Sequence, residues 1–132
     1  MSTIPEDLRY TRDHEWIRLE TGTQAVCGIT DHAQHMLNDI VFVELPEPGM
    51  RVAQRQQLAV IESVKAVSDV YSPVAGEIIA VNDTLESAPE KMNSAPYAEG
   101  WLFRIEVDDP AQLDTLLSPA AYARLVEAEE EA

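Results

Sequence analysis

The chain has 132 residues, with 24 acidic side chains against 9 basic ones and a net charge of −15. A polyanion of this kind repels nucleic acid and anionic membrane surfaces, so neither is expected as a partner. Its length suits one domain, residues 1–132, with a single core, and one cysteine excludes an internal disulfide framework, which points to a reducing, cytoplasmic setting.

Residues 1–13 are polar and read as extended. They lack the basic start and apolar run of a signal peptide, and no apolar stretch approaches membrane-spanning length. His14–Leu19 reads as a strand, with Glu15, Ile17 and Leu19 on one face and His14, Trp16 and Arg18 on the other. Glu20-Thr21-Gly22-Thr23 supplies turn residues, and Gln24–Ile29 returns to close a hairpin. Cys27 alternates with Ala25 and Ile29, the pattern of a buried strand thiol rather than a nucleophile.

Thr30-Asp31 is a helix start, a hydroxyl cap followed by a carboxylate. Ala33, Met36 and Leu37 follow at helical spacing, and Asn38 suits a left-handed C-terminal position. Ile40–Leu45 is a β-branched apolar run, read as a central strand ended by Pro46-Glu47-Pro48-Gly49. Val52 and Leu58–Ile61 supply further strand residues around a polar Gln54–Gln57 loop.

Glu62-Ser63-Val64-Lys65-Ala66-Val67-Ser68-Asp69-Val70 then places one lysine at the tip of a hairpin. Glu77–Val81 is another strand, residues 84–100 read as a long surface loop, and Trp101, Phe103, Ile105 and Val107 mark a last strand. Asp109-Pro110-Ala111-Gln112 has the pattern of a capping box that opens a short helix. Ser118-Pro119 opens a final helix with Tyr122, Leu125 and Val126 facing inward, and the acidic tail Glu127–Glu131 is expected to fray. Many short strands with turn signals between them predict a mostly-β sandwich or flattened barrel, with C-terminal helices packed on it.

The chemistry-bearing residues are few. Lys65 is either a modification site or a gatekeeper lysine at a sheet edge, and inert surface lysines are the commoner case. Val64 and Ala66 leave it uncrowded, while Glu62 and Asp69 offer charges that orient an incoming enzyme. His32 and His35 lie three apart on the expected helix, but no third ligand stands at recognisable spacing, so no metal is expected. No catalytic constellation and no phosphate-binding glycine loop appears, and the chain is not expected to be an enzyme.

The run from Glu62 through Ser72-Pro73-Val74-Ala75-Gly76-Glu77-Ile78 resembles the lipoyl-attachment segment of the glycine cleavage system H proteins. So do, in order, His14-Glu15-Trp16, Gly28-Ile29-Thr30-Asp31-His32-Ala33-Gln34, Val41–Gly49, Asn93-Ser94-Ala95-Pro96-Tyr97 and Gly100-Trp101. The flanks of Lys65 are unlike the Met-Lys-Met of biotin carriers and the Asp-Lys of 2-oxoacid dehydrogenase lipoyl domains.

The resemblance implies a lipoyl/biotinyl-type barrel-sandwich hybrid with a short internal helix and C-terminal helices. Its attachment core would span about 24–106 and its helical segment about 110–130. It implies a monomeric, non-catalytic carrier with lipoate linked to Lys65, and Glu62, Val64, Ala66 and Asp69 around it. A lipoate ligase or lipoyltransferase would attach the cofactor. The arm would carry the aminomethyl group of glycine from a pyridoxal-phosphate glycine decarboxylase to a tetrahydrofolate-dependent aminomethyltransferase. A flavin (FAD) dihydrolipoyl dehydrogenase would reoxidise it. Glu15 and Met36, beside Asp69, are the candidates for a cleft that shelters the loaded arm.

The alternatives are a lipoyl relay donor to other proteins and an unmodified binding module. Asn38 and Arg55 stand where glycine is common in the family, and Met36 where some members have histidine, so strain or remodelling is expected around Gln54–Gln57.

Overall fold

The hairpin that presents Lys65 belongs to the smaller of two antiparallel sheets. The structure is a computed structural model that describes residues 2–131. Met1 and Ala132, the ends of the expected 1–132 domain, lie outside the described residues.

Nine strands form the sheets. The larger has the order β1-β2-β3-β9-β8-β5, from Arg9–Tyr10, Glu15–Thr21, Gln24–Ile29, Phe103–Val107, Gly76–Val81 and Arg51–Val52. The smaller has the order β4-β6-β7, from Ile40–Glu44, Gln57–Ser63 and Val67–Tyr71. Ile17, Ala25, Cys27, Ile78 and Ile105 of the first share one buried core with Val43, Leu58, Ile61 and Val70 of the second. That is the barrel-sandwich arrangement of a lipoyl-type domain. Cys27 is fully enclosed there, and burial pushes its thiol pKa well up, so it packs and does not react.

The other face of β2 and β3 is buried as well. Trp16 and Val26 point away from the main core, against Leu8, Tyr10, Tyr122 and Val126. Tyr122 and Val126 come from α4, Pro119–Glu131, and the Tyr10 and Tyr122 rings stack with centroids 4.4 Å apart. Glycine is required where this layer closes: a Cβ on Gly28 would lie 2.8 Å from the Trp16 ring. At Gly76 a Cβ would strike the backbone carbonyl of Glu106 on the neighbouring strand.

The short helix α1, Asp31–Leu37, follows β3 and is capped by Thr30, whose Oγ1 accepts the Ala33 N–H. Its Ala33 and Leu37 face the core, while Met36, at the same helical spacing, is 46% exposed.

Five expectations change. The apolar run Ile40–Leu45 is not a central strand: β4 lies at an edge, with Val41 and Phe42 exposed. Residues 84–100 are not a bare loop. They hold two single-turn helices, α2 (Thr84–Ser87) and α3 (Lys91–Ser94), each pinned by one fully buried side chain, Leu85 or Met92. The apolar positions are too few and too widely spaced to show a period.

The segment Pro110–Thr115 is a 3₁₀ helix rather than an α-helix, and its capping box is incomplete. Asp109 accepts the Ala111 N–H, while Gln112 reaches away to accept the Ala75 N–H at 2.8 Å. The acidic tail does not fray: α4 continues to Glu131, and Glu129 meets His14. Finally, Asn38 has φ 66° and ψ −149°, a glycine-favoured region and not the left-handed helical well. Arg55, at φ 71°, takes the positive φ expected of it.

Candidate functional site around Lys65

Strands β6 and β7 pair with Glu62 opposite Val67 and Val60 opposite Asp69, leaving Val64-Lys65-Ala66 as the turn. The Ser63 N–H donates to the Ala66 carbonyl at 2.8 Å and closes the turn. The Ser63 hydroxyl oxygen accepts the Lys65 and Ala66 amides at 3.3 and 3.1 Å. A serine satisfying backbone donors of its own turn is a local device that fixes such tips.

The tip is also tied to the body. The Val64 N–H donates to the Asp39 carbonyl at 3.0 Å. Asn93 of α3 holds the segment that carries Asp39: its amide donates to the Asn38 carbonyl at 2.7 Å and its Oδ1 accepts the Ile40 N–H at 3.0 Å. The sequence reading missed Asn93 because only the fold brings its backbone partners within reach, and it overlooked Ser63, whose partners lie two and three residues on in its own turn.

Lys65 itself is exposed and makes no ion pair among the described residues. Val64 and Val67 beside it are 65% and 66% exposed, Ala66 is exposed, and Glu62 is half-buried on β6. With Val41 and Phe42 they leave apolar surface near an amine that no carboxylate among the described residues pairs with.

The three arm-cleft residues stand apart. Glu15 is 2% exposed, and its carboxylate accepts the Thr11 hydroxyl at 2.5 Å and the Tyr71 N–H at 3.0 Å. Burial raises its pKa to about 7 against the opposing pull of those two hydrogen bonds. It borders a cleft lined also by Asp13, Arg55, Tyr71 and Ser72. Asp69 is exposed on β7. Met36 lies elsewhere, in a depression with His32, His35, Glu129 and Glu130. His32 and His35, three apart in α1, also turn to different partners. His35 turns to Asp31, and His32 packs on His14 with ring centroids 4.7 Å apart.

Residues 8–129 match the family model described as glycine cleavage H-protein. A glycine cleavage system H protein of Edwardsiella ictaluri is 57% identical over 122 residues, covering 92% of this chain and 95% of that protein. One from Aeromonas salmonicida is 54% identical over 129 residues, covering 98% of this chain and all of that one. The solved structure of a glycine cleavage system H protein from Mycobacterium marinum superposes with a TM-score of 0.80 at 36% identity, covering 92% of this chain and 97% of that one.

Proposed function

The chain belongs to the glycine cleavage H-protein family and is a lipoyl carrier of the glycine cleavage system; on that premise we propose that lipoate is borne as an amide on Lys65. The observation that carries this reading is the Lys65 tip, a fixed turn that presents an exposed amine. A ligase or lipoyltransferase needs an accessible, conformationally defined amine, and both properties are met here. Glu62, Val64, Ala66 and Asp69 frame the approach: two carboxylates set back on the strands and two small apolar side chains at the tip.

Bound lipoate supplies a disulfide that is reductively loaded and later reoxidised. The chain's own part is presentation. A tethered arm meets several partner sites at a high effective concentration without leaving the protein. The partners of this reading are a pyridoxal-phosphate glycine decarboxylase, a tetrahydrofolate-dependent aminomethyltransferase and an FAD-dependent dihydrolipoyl dehydrogenase. The chain performs no chemical step of its own. Glu15, Asp69 and Met36 remain proposed for the shelter of the loaded arm. The argument for Glu15 is a buried carboxylate on a cleft, and for Asp69 and Met36 an exposed carboxylate and an exposed thioether.

The test is intact mass after co-expression with a lipoate ligase. Wild type gains one lipoyl group and Lys65→Arg none, since a guanidinium is not an acylation target. Lys65→Arg keeps the wild-type circular dichroism and supports no glycine–bicarbonate exchange. Lipoate on another lysine, or exchange by the variant, would defeat the assignment.

A further inference from the structure

At the far end of α4 from Ser118, three side chains from distant parts of the chain converge. His14 precedes β2, His32 lies in the first turn of α1 and Glu129 in the last turn of α4. His14 Nε2 is 3.0 Å and His32 Nε2 3.4 Å from the same oxygen, Glu129 Oε1. Both rings are buried, and one ligand atom of each of the three residues lies within 4.8 Å of the others.

The outer nitrogens of the two rings face oxygens. His14 Nδ1 lies 2.8 Å from the Tyr122 hydroxyl, which lies 2.7 Å from Thr30 Oγ1. His14 Nε2–H can donate to Glu129 Oε1 at 3.0 Å, and moving that proton to Nδ1, where the Tyr122 oxygen accepts it while the Tyr122 hydroxyl turns to Thr30, frees Nε2 for a ligand. His32 Nδ1 lies 3.8 Å from the Glu130 carboxylate, and a proton on that nitrogen leaves Nε2 bare for a ligand. His32 Nε2 is buried and without a hydrogen-bond partner among the described residues, and the side chain is only 7% exposed. A buried ring nitrogen aimed at a carboxylate and a second imidazole, yet unpartnered, lacks a ligand that accepts lone pairs.

The geometry points to a divalent transition-metal site, of zinc type, formed by His14 Nε2, His32 Nε2 and a Glu129 carboxylate oxygen. Zinc bonds to imidazole nitrogen at about 2.0–2.1 Å, which sets a tetrahedral edge of about 3.3 Å. The 3.0 and 3.4 Å separations match that edge, and the third, between the two ring nitrogens, lies within 4.8 Å and closes by a small rotation of the rings. The Tyr122 hydroxyl holds the His14 ring as second-layer groups hold metal-ligating histidines. Two neutral imidazoles and one carboxylate suit zinc among the abundant cations better than magnesium or calcium, which prefer all-oxygen sets. Glu129 leads to the depression beside Met36, so the ion has an entry path and water has room at the fourth position.

This site departs from the sequence expectation of no metal, which weighed His32 with its neighbour in the helix rather than with residues 14 and 129. Bound zinc would clip the end of α4 to the start of β2 and to α1.

The experiment uses the tag-free full chain, stripped with a chelator and titrated with zinc against a chromogenic competitor. One zinc per chain is expected to bind, with Tm rising on saturation. His32→Gln and Glu129→Gln each weaken binding by more than about tenfold and lose the thermal shift, since even second-layer changes commonly cost 10–100-fold. His35→Gln, whose ring turns to Asp31, binds as wild type. Cobalt in place of zinc gives visible bands of low coordination number in wild type and loses them in Glu129→Gln. Glu129 is half-exposed near the helix end, so its variant folds even if His32→Gln does not. No saturable binding, or wild-type affinity in Glu129→Gln, overturns the site.

Discussion

The Glu15 carboxylate accepts the backbone N–H of Tyr71 at 3.0 Å, joining β2 of the large sheet to the strand that descends from Lys65. Burial lifts its pKa from 4.5 to about 7, so the folded protein holds a proton there that the unfolded chain gives up at lower pH. Stability from this group is fully present below about pH 4.5 and is lost as pH rises through about 7. At about 1.4 kcal/mol per unit, the loss is about 3 kcal/mol. Glu15→Gln keeps an acceptor for the Tyr71 N–H and turns an amide N–H2 toward the Thr11 hydroxyl oxygen in place of the oxygen that accepted from it, without a charge. The stability difference between variant and wild type is expected to move by about 2.5 kcal/mol in the variant's favour from pH 5 to pH 8, measured by urea unfolding. A pH-independent difference would show that the carboxyl is already ionised at pH 5.

Asn38 is the other strained point near the hairpin. Its φ 66° and ψ −149° lie where glycine alone is unstrained, and such residues cost about 1–3 kcal/mol. Its exposed side chain makes no hydrogen bond among the described residues, so little is lost by removing it. Glycine gives back part of the gain through unfolded-chain entropy. Asn38→Gly is therefore expected to stabilise by about 1 kcal/mol in urea unfolding, while Asn38→Ala destabilises. A destabilised glycine variant would mean that the asparagine conformation is not strained.

How much of this was legible in the sequence depends on the range of each interaction. Period-two alternation marked β2, β3 and β9 because successive side chains of a strand point to opposite faces. Thr30 and Asp109 were readable as caps because their partners lie two or three residues away. The edge position of β4 was not, since an apolar run has the same pattern in the centre of a sheet as at a rim beside exposed Phe42. Leu85 and Met92 gave no period, and the contacts of Asn93 and Glu129 reach across the fold. Lys65 was readable at the tip of a hairpin because the strands on both sides are local. Its family resemblance added the lipoate that the residues alone left open.

The charge of −15 predicts how the carrier meets its partners. Complementary charge speeds encounter, and salt screens exposed charges over about 10 Å at 0.1 M. With glycine decarboxylase as partner, kcat/KM for glycine–bicarbonate exchange measured against carrier concentration is expected to fall about tenfold from low to high ionic strength, with kcat nearly constant. A flat profile would place the docking surface on the apolar residues around Lys65 instead.

Ser63 gives the most direct test of presentation. Its hydroxyl oxygen takes the amides of Lys65 and Ala66, while the hairpin ladder and the Val64–Asp39 bond do not depend on it. Ser63→Ala therefore frees the tip without removing the strands. Each lost bond is worth about 1 kcal/mol where it is buried and less on an exposed turn, so global stability is expected to change by less than about 1 kcal/mol. Lipoylation depends on the turn being held in one conformation as the ligase engages it, and a population of several tip conformers lowers the competent fraction. The variant's kcat/KM as ligase substrate is expected to drop about three- to tenfold, mostly through KM, while the lipoylated end state reaches the same mass. Ser63→Thr restores the acceptor oxygen and most of the rate. Equal rates for wild type and Ser63→Ala would mean that the ligase imposes its own conformation on the tip, and that the serine contributes only to the free protein.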